Sequence, residues 1–362
     1  MTQSRIGVGV VGLSAQRGWF AQAHMPALAH LPQFEIRGLA ASTPDTARAA
    51  AEKYGVAFAT DDPAELAARP DIDLVVVSVK VVHHRAPIEA ALGAGKHVFC
   101  EWPLGTGLGE AEAMAALARA RGVRGFVGLQ ARFQPGVMYV RDLIAQGYVG
   151  QVRSTSIVAQ GGGGARGGQT VPQNQLFYLD RHSGGGMLNI PMGHTLDGVC
   201  GLFGELTNAK ATLLVQRPTA TVAETGESAP VTAPDAAAIT GVFENGAVAS
   251  FHYRTPLIGT GFHWEINGDA GALLVTAPRG HLQLAPLRVF GVQAADQPFA
   301  ELPIPASYAF ADLDTSSMSS AMGHLYRSLA DDLATGAEAV ASFDHAVTRH
   351  RMIDGIERAA LG

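Results

Sequence analysis

The stretch Ile6-Gly7-Val8-Gly9-Val10-Val11-Gly12-Leu13-Ser14-Ala15-Gln16-Arg17-Gly18 decides the fold. Ile6 to Leu13 is a short apolar run rich in β-branched residues, the pattern of a strand buried on both faces of a parallel sheet. Gly12 predicts a tight turn out of that strand. A dinucleotide site needs such a turn, so that the backbone approaches the pyrophosphate and a helix N-terminus is aimed at its charge. Ser14 stands at the usual second glycine, and the third is displaced to Gly18. The fingerprint is therefore imperfect, and its place at the first strand-to-helix turn strengthens it more than its glycines do. The competing reading is a plain turn.

Working outward, strands and helices alternate. Phe34–Ala41 reads as a strand, Thr46–Tyr54 as a helix stopped by Gly55, and Asp61–Ala68 as a short helix with Asp62 as N-cap before Pro63. Leu74–Val79 is a buried strand, Ala86–Ala94 a helix, His97–Cys100 a strand, Gly109–Arg121 a helix and Gly125–Leu129 a strand. This alternation predicts βαβ units and a parallel sheet. Near residue 150 the pattern changes. Val152–Ala159, Asn208–Val215, Ala237–Glu244, Ala247–Arg254, Phe262–Ile266 and Ala272–Ala277 read as strands, with Asn245-Gly246 and Asn267-Gly268 as hairpin turns. Gly161–Gly168 reads as a flexible loop, and Met318–Leu333 and His345–Ala360 as terminal helices that pack back. The expected division is a dinucleotide-binding domain over 1–130 and an α+β substrate and oligomerisation domain with an open antiparallel sheet over 131–362.

Composition narrows the function. With 47% hydrophobic and 16% charged residues among 362, the chain is globular in composition. Its net charge of −6 and the lack of a basic block speak against nucleic acid or an anionic membrane as partner. Two cysteines, Cys100 and Cys200, make no disulfide framework. No leader pattern or long apolar segment is present, so a cytoplasmic protein is expected.

After the second strand an acidic residue for the ribose hydroxyls is expected. Ala41-Ser42-Thr43-Pro44 stands there instead, with Asp45 beyond the proline. Small hydroxyls leave room for a 2′-phosphate, which Arg17 or Arg48 can pair, so NADP is favoured over NAD. Lys80, after the Leu74–Val79 strand, sits where parallel sheets bind ligands, and is also explained as a solvated strand-end lysine. Gln130, Arg132, Asn174, Tyr178, Arg181, Asn189 and His194 flank the glycine run Gly184–Gly186 and suit a polyhydroxylated small molecule; each also has a structural explanation. No metal-ligand spacing and no GxSxG motif occurs, which argues against metal and serine-hydrolase chemistry.

Longer motifs carry a resemblance. Ala91-Leu92-Gly93-Ala94-Gly95-Lys96-His97-Val98-Phe99-Cys100-Glu101-Trp102-Pro103-Leu104, Leu143-Ile144, Gly147-Tyr148-Val149-Gly150, and Gly184-Gly185-Gly186 with His194 and Asp197 resemble the glucose–fructose oxidoreductase / inositol dehydrogenase (Gfo/Idh/MocA) family. The resemblance covers essentially the whole chain. It implies a Rossmann domain, a second domain with a large open, mostly antiparallel sheet, and homodimers or homotetramers formed through that sheet. It further implies a cofactor site at Gly12, Leu13, Ser14, Ala15, Gly18, Trp19, Phe20, Ser42, Thr43, Val79, Lys80, His84, Glu101, Trp102 and Gln130, with His83 exposed. Substrate contacts would come from Arg132, Asn174, Arg181, Asn189 and His194, and acid–base chemistry from His194 assisted by Lys80 or Tyr178. Two positions depart from the family: its lysine falls on Trp102 and its aspartate on Ile190, which removes an ammonium and a carboxylate from the reacting centre. Gly12–Pro26, Glu101-Trp102, Leu129–Arg132 and Gly193–Asp197 resemble the branch of the fungal galactose-gene repressor, in which non-catalytic dinucleotide binding occurs. Three functions follow: an NAD(P)-dependent oxidoreductase of sugar-like alcohols or carbonyls, a cofactor-binding regulator without turnover, and a redox-neutral enzyme that retains its NAD.

Overall fold

The computed structural model describes residues 5–16, 18–161, 170–255 and 261–361. They form two compact units. The first is Met1–Leu129 with Met322–His350; the second is Gln130–Ala321 with Arg351–Gly362. The expected 131–362 domain is thus interrupted, because residues 322–350 cluster with the first unit.

In the first unit, six strands alternate with helices: β1 (Ile6–Val11), α1 (Met25–Leu28, continuing a π-helical turn Phe20–His24), β2 (Phe34–Ala40), α2 (Pro44–Tyr54), β3 (Ala59–Thr60), α3 (Pro63–Ala68), β4 (Leu74–Val77), α4 (Arg85–Gly93), β5 (His97–Glu101), α5 (Leu108–Arg121) and β6 (Gly125–Gly128). All pair in parallel, in the order β3-β2-β1-β4-β5-β6. The order reverses between β1 and β4, the switch point at which such sheets bind ligands. Every residue of β4 is buried, as its unbroken valines predict. The Asp62 carboxylate accepts the Ala64 N–H and caps α3. The returning segment completes this unit: Val127 N–H donates to Ala341 O, and the Arg124 guanidinium donates to Asp332 O and Ala337 O.

The second unit holds α6 (Pro135–Ala145), β7 (Val152–Gln160), β8 (Thr170–Val171), α7 (Gly186–Asn189), α8 (Pro191–Phe203), β9 (Leu206–Leu214), β10 (Thr219–Val222), β11 (Ser228–Pro230), β12 (Ala236–Phe243), β13 (Val248–Arg254), β14 (Phe262–Gly268), β15 (Ala272–Ala277), β16 (Arg288–Val292) and β17 (Ala300–Leu302). Helices α9 (Met318–Thr335) and α10 (Phe343–Ala359) span the divisions at Ala321/Met322 and His350/Arg351. The main sheet runs β17-β16-β15-β14-β7-β13-β12-β9, antiparallel except for the β7–β13 pair. Strict alternation puts Ile157, Ile239, Phe251, Trp264 and Val275 on the buried face, while Thr240, Ser250 and His252 point outward. Helix α8 lies on the buried face, where Tyr253 Oη donates to Thr195 Oγ1.

Asn245-Gly246 turns β12 into β13 as expected. The turn after β14 does not fall at Asn267-Gly268. Both residues stay in the strand, and Asp269-Ala270 make the reversal, closed by Gly268 N–H to Gly271 O. Gly268 is needed for close approach instead: a Cβ there would stand 2.0 Å from Val149 O. Of the Gly161–Gly168 run, residues 162–168 lie outside the described residues.

Candidate functional site

In the first unit, β1 ends at Gly12 with φ +104°, and a Cβ there would lie 2.5 Å from Ser78 O and 2.8 Å from Val79 Cγ1. Only glycine fits, because the loop after β4 passes directly against the turn. Gly18 is less constrained, with nothing within 3.7 Å of its Cβ position. The loop is held from behind by two residues that the sequence reading missed. Tyr54 Oη donates to Ser14 O at 3.0 Å, and Lys53 Nζ donates to Ala15 O. In a trans peptide the next N–H points opposite to the carbonyl, so these bonds turn the N–H groups of Ala15 and Gln16 away from α2. Gln16 N–H is taken by Ser14 Oγ. The signal for Lys53 and Tyr54 was present, since both sit in the last turn of a helix ending at Gly55. Leu13 and Phe20 bury their side chains in the core, so Leu13 offers only its backbone and Phe20 packs on His24. Trp19 Nε1 is buried with no protein partner.

The loops after β4 and β5 are tied together by His84. Its Nε2 lies 3.1 Å from Val79 O and its Nδ1 3.0 Å from Pro103 O and 3.1 Å from Cys100 Sγ. Burial holds its imidazole below the usual value, so it is neutral. A neutral ring carries one N–H, so it donates either to Val79 O through Nε2 or to Pro103 O through Nδ1, with the Cys100 thiol, which burial keeps protonated, beside Nδ1. His84 therefore shapes the loops and does not present its ring to a ligand, a correction to its expected role. Lys80 is exposed at the start of a 3₁₀ turn Val81–His83, one residue beyond the Val79 that meets Gly12, and His83 is exposed beside it. At the end of β5, Glu101 Oε1 lies 2.9 Å from His24 Nε2, and His24 Nδ1 lies 2.8 Å from Tyr326 Oη. Trp102 is 4% exposed, its ring 4.7 Å from the His350 ring. It is a core residue of this unit, where a lysine would carry charge to a ligand.

The loop after β2 has no carboxylate. Thr43 Oγ1 accepts the Thr46 N–H and Thr46 Oγ1 accepts the Thr43 N–H, so Thr43 is engaged as the cap of α2, and Ser42 is exposed beside it. The Arg48 guanidinium is paired with Asp45 at 3.1 Å. Arg17 lies outside the described residues. A dinucleotide fits the unit as a whole: the turn that admits no Cβ, the peptide groups held from behind by α2, and the buried unpartnered Trp19 Nε1 and Ser78 Oγ all lie at the ends of β1 and β4 or just beyond.

In the second unit, α8 presents His194, Asp197 and Gly198 on one face, at spacings of three and four. A 3₁₀ turn Gln130–Phe133 packs there, with Ala131 3.4 Å from the Gly198 Cβ position. Arg132 Nε and Nη2 donate to the two oxygens of fully buried Asp197 at 2.9 and 2.7 Å. Leu282 packs 3.3 Å from the same Gly198 position, on a segment that also carries His281 and Gln283. The sequence reading missed these two, which stand in a turn without a motif. His194 is pulled down to about 3, first by burial, with Asp197 opposing and His281 reinforcing. His281 is pulled down to about 4 by burial and by Arg279. Gln130, given to the cofactor, belongs to this unit and is buried.

The remaining expected contacts lie elsewhere in this unit. Arg181 and Asn189 line a small indentation with Gly185, Gly186 and Glu357, and Asn189 Nδ2 donates to Gly185 O. Asn174 is exposed on the 3₁₀ turn Gln173–Leu179. On the same turn burial pushes the Tyr178 phenol up, so it remains protonated and can donate a hydrogen bond but not serve as a base. Ile190, at the family aspartate position, joins α7 to α8. Among the described residues no group of three His, Cys, Asp or Glu side chains is arranged to hold a metal, and no helix is long and apolar enough to cross a membrane.

Comparison with known proteins agrees with this geometry. Residues 6–129 match the oxidoreductase family with NAD-binding Rossmann fold, and residues 135–277 match the Gal80p C-terminal domain. The dehydrogenase aclE of Aspergillus oryzae is 29% identical, covering 98% of this chain and 96% of its own. The galactose/lactose metabolism regulatory protein GAL80 of Saccharomyces cerevisiae is 27% identical over 82% of this chain and 72% of its own. The crystal structure of a super-repressor mutant of Gal80p from Saccharomyces cerevisiae shares the fold with a TM-score of 0.87 at 22% identity, covering 99% of this chain and 96% of that one. Levoglucosan dehydrogenase in complex with NADH and L-sorbose shares it with a TM-score of 0.82 at 23% identity, covering 99% and 97%. The chain thus joins a domain of the NAD-binding Rossmann oxidoreductase family, over residues 6–129, to a domain of the Gal80p C-terminal type, over residues 135–277.

Proposed function

We propose that this protein is an NAD(P)-dependent oxidoreductase acting on a sugar-like alcohol or carbonyl. The observation that carries the reading is His194: a fully buried, neutral imidazole with an unpartnered Nδ1, on a helix face organised by the Arg132–Asp197 pair. The dinucleotide, when bound, supplies hydride chemistry. The chain's own work is to hold it at the Gly12 turn, orient a hydroxyl, and accept that hydroxyl's hydrogen bond at His194. Because His194 is neutral far below pH 7, it is in its accepting form throughout the physiological range, and it should place no acid limb between pH 6 and 8 on the rate profile. The relatives support the reading, since dehydrogenase aclE and levoglucosan dehydrogenase bear dehydrogenase names.

Trp102 supports the second reading, a dinucleotide-binding regulator without turnover. Its burial against His350 removes the ammonium expected beside a reacting oxygen, and the Gal80 relatives are regulators by name. The two separate in one experiment: a screen of sugars and related carbonyls for change at the reduced-nicotinamide absorbance band, with His194→Ala as control. Turnover lost in the variant supports the enzyme. Tight dinucleotide binding without turnover on any substrate supports the regulator.

The loop after β2 favours NADP through its missing carboxylate, with Arg17 and Arg48 as the available cations. The open sheet is the proposed surface for homodimers or homotetramers, since its outer face exposes Val158 and Val248 among polar residues. Val248→Lys should then lower the assembly mass in sedimentation, and an unchanged mass would remove that surface from consideration.

A further inference from the structure

Six buried polar atoms in the second unit have no hydrogen-bond partner among the described residues, and four of them are Gln130 Oε1, His194 Nδ1, His281 Nδ1 and Gln283 Oε1. The side chains of Gln130, His194 and Gln283 are 2–3% exposed. Their segments converge on one face of α8. Ala131, next to Gln130, and Leu282, between His281 and Gln283, both pack on the Gly198 position one turn beyond His194. His281 acts electrostatically on His194 directly. A buried polar atom without a partner is expensive, on the order of 1–3 kcal/mol each, so four on segments that meet at this helix face point to a ligand.

The charge of that surface is informative. Arg132, a strong cation on this face, makes two hydrogen bonds to the buried carboxylate of Asp197. Both imidazoles are neutral at physiological pH, because burial disfavours their charged forms. Both glutamines present an acceptor oxygen, and they remain uncharged whichever way the amides are turned. Arg279, which faces His281, is an exposed side chain whose charge is screened by solvent. The surface is therefore neutral and rich in acceptors. Hydroxyl groups, which both donate and accept, match it; a carboxylate or phosphate would lose its hydration against unpartnered groups that carry no positive charge.

We infer that this cluster selects neutral polyhydroxylated ligands over their anionic counterparts, and that His281 is a specificity-determining residue. The inference rests on the sugar-like reading of the substrate but not on turnover, and binding alone tests it. Calorimetric titrations of the full chain compare neutral sugars and cyclitols with matched anions: D-glucose with D-glucuronate and D-glucose 6-phosphate, and myo-inositol with its phosphate. The expected result is binding of a neutral member at least tenfold tighter than its anionic partners. His281→Ala should weaken it by tenfold or more, His281→Gln should recover part of the loss, and His281→Arg should shift preference toward the anion. Dinucleotide titration and thermal melting of each variant separate lost recognition from lost folding. Equal or tighter binding of the anion, or unchanged neutral-ligand binding in a folded His281→Ala, overturns the inference while leaving the sugar-like reading in place. Absence of binding by every member of both series overturns that reading, and this inference with it.

Discussion

At the scale of single residues, Gly12 and Asp45 carry the sharpest consequences. Gly12→Ala places a methyl 2.5 Å from Ser78 O at φ +104°. The backbone strain alone is about 1–3 kcal/mol, and relief requires the loop after β4 to retreat from the turn. Dinucleotide affinity should fall at least a hundredfold by fluorescence titration, and a variant with wild-type affinity would show that the turn does not hold the cofactor. Asp45 works in the opposite direction. Its carboxylate occupies Arg48, the described cation available to a 2′-phosphate. Asp45→Asn releases that charge, so the ratio of NADP to NAD affinity should rise about twofold to fivefold, the scale of an exposed ion pair. A ratio unmoved by Asp45→Asn but reduced by Arg17→Ala assigns the 2′-phosphate to Arg17 instead.

At the scale of elements, the join between α9 and β6 of the first unit depends on one carboxylate. Asp332 is fully buried; its two oxygens accept Ala339 N–H at 3.0 Å and Val340 N–H at 2.8 Å, just before Val127 pairs with Ala341. Asp332→Ala leaves both N–H groups buried and unpaired, a loss of about 2–5 kcal/mol, which denaturant unfolding measures; a loss below about 1 kcal/mol would mean the segment is held otherwise. This join also shows where sequence reading stops. The parallel sheet was legible because β-branched runs such as Leu74–Val77 have no alternative burial, and the open sheet was legible because buried and outward residues alternate along β12, β13, β14 and β15. The return of residues 322–350 to the first unit was not, since amphipathic helices show that they pack without showing on what. The same limit applies at the site. Gly12 and His194 could be read from motif positions, whereas Lys53, Tyr54, His281 and Gln283 act through tertiary placement, and Trp102 and His84 proved to be interior once their neighbours were known.

At the scale of the whole molecule, four buried histidines set the response to acid. His84 and His350 lie in the first unit, His194 and His281 in the second. Burial lowers all four: His194 to about 3, His281 and His350 to about 4, and His84 in the same direction. Neighbouring acids oppose the shift only in part, Asp197 at His194, Glu110 at His350 and Glu101 at His84. In the unfolded chain each titrates near 6.5, so below that pH the unfolded state binds more protons than the folded one, and stability falls as pH falls. The contribution is fully present above about pH 6.5 and is lost progressively down to the folded values near 3 to 4. Each histidine removes up to about 1.4 kcal/mol per pH unit in that window. From pH 7 to 5.5 His194, His281 and His350 together remove about 4 kcal/mol, close to the whole stability of a domain, and His84 adds to the loss in the same direction. Paired carboxylates such as Asp269 and Glu301 are lowered from values near 4, so their losses begin at lower pH and do not mask this one. Guanidinium midpoints should therefore hold between pH 8 and 7 and drop steeply by pH 5.5. Because each unit contains two of these histidines, both transitions should move if the units unfold separately. His350→Gln should flatten the slope of the first unit alone; midpoints independent of pH between 7 and 5.5 would mean that these imidazoles become charged without unfolding the chain.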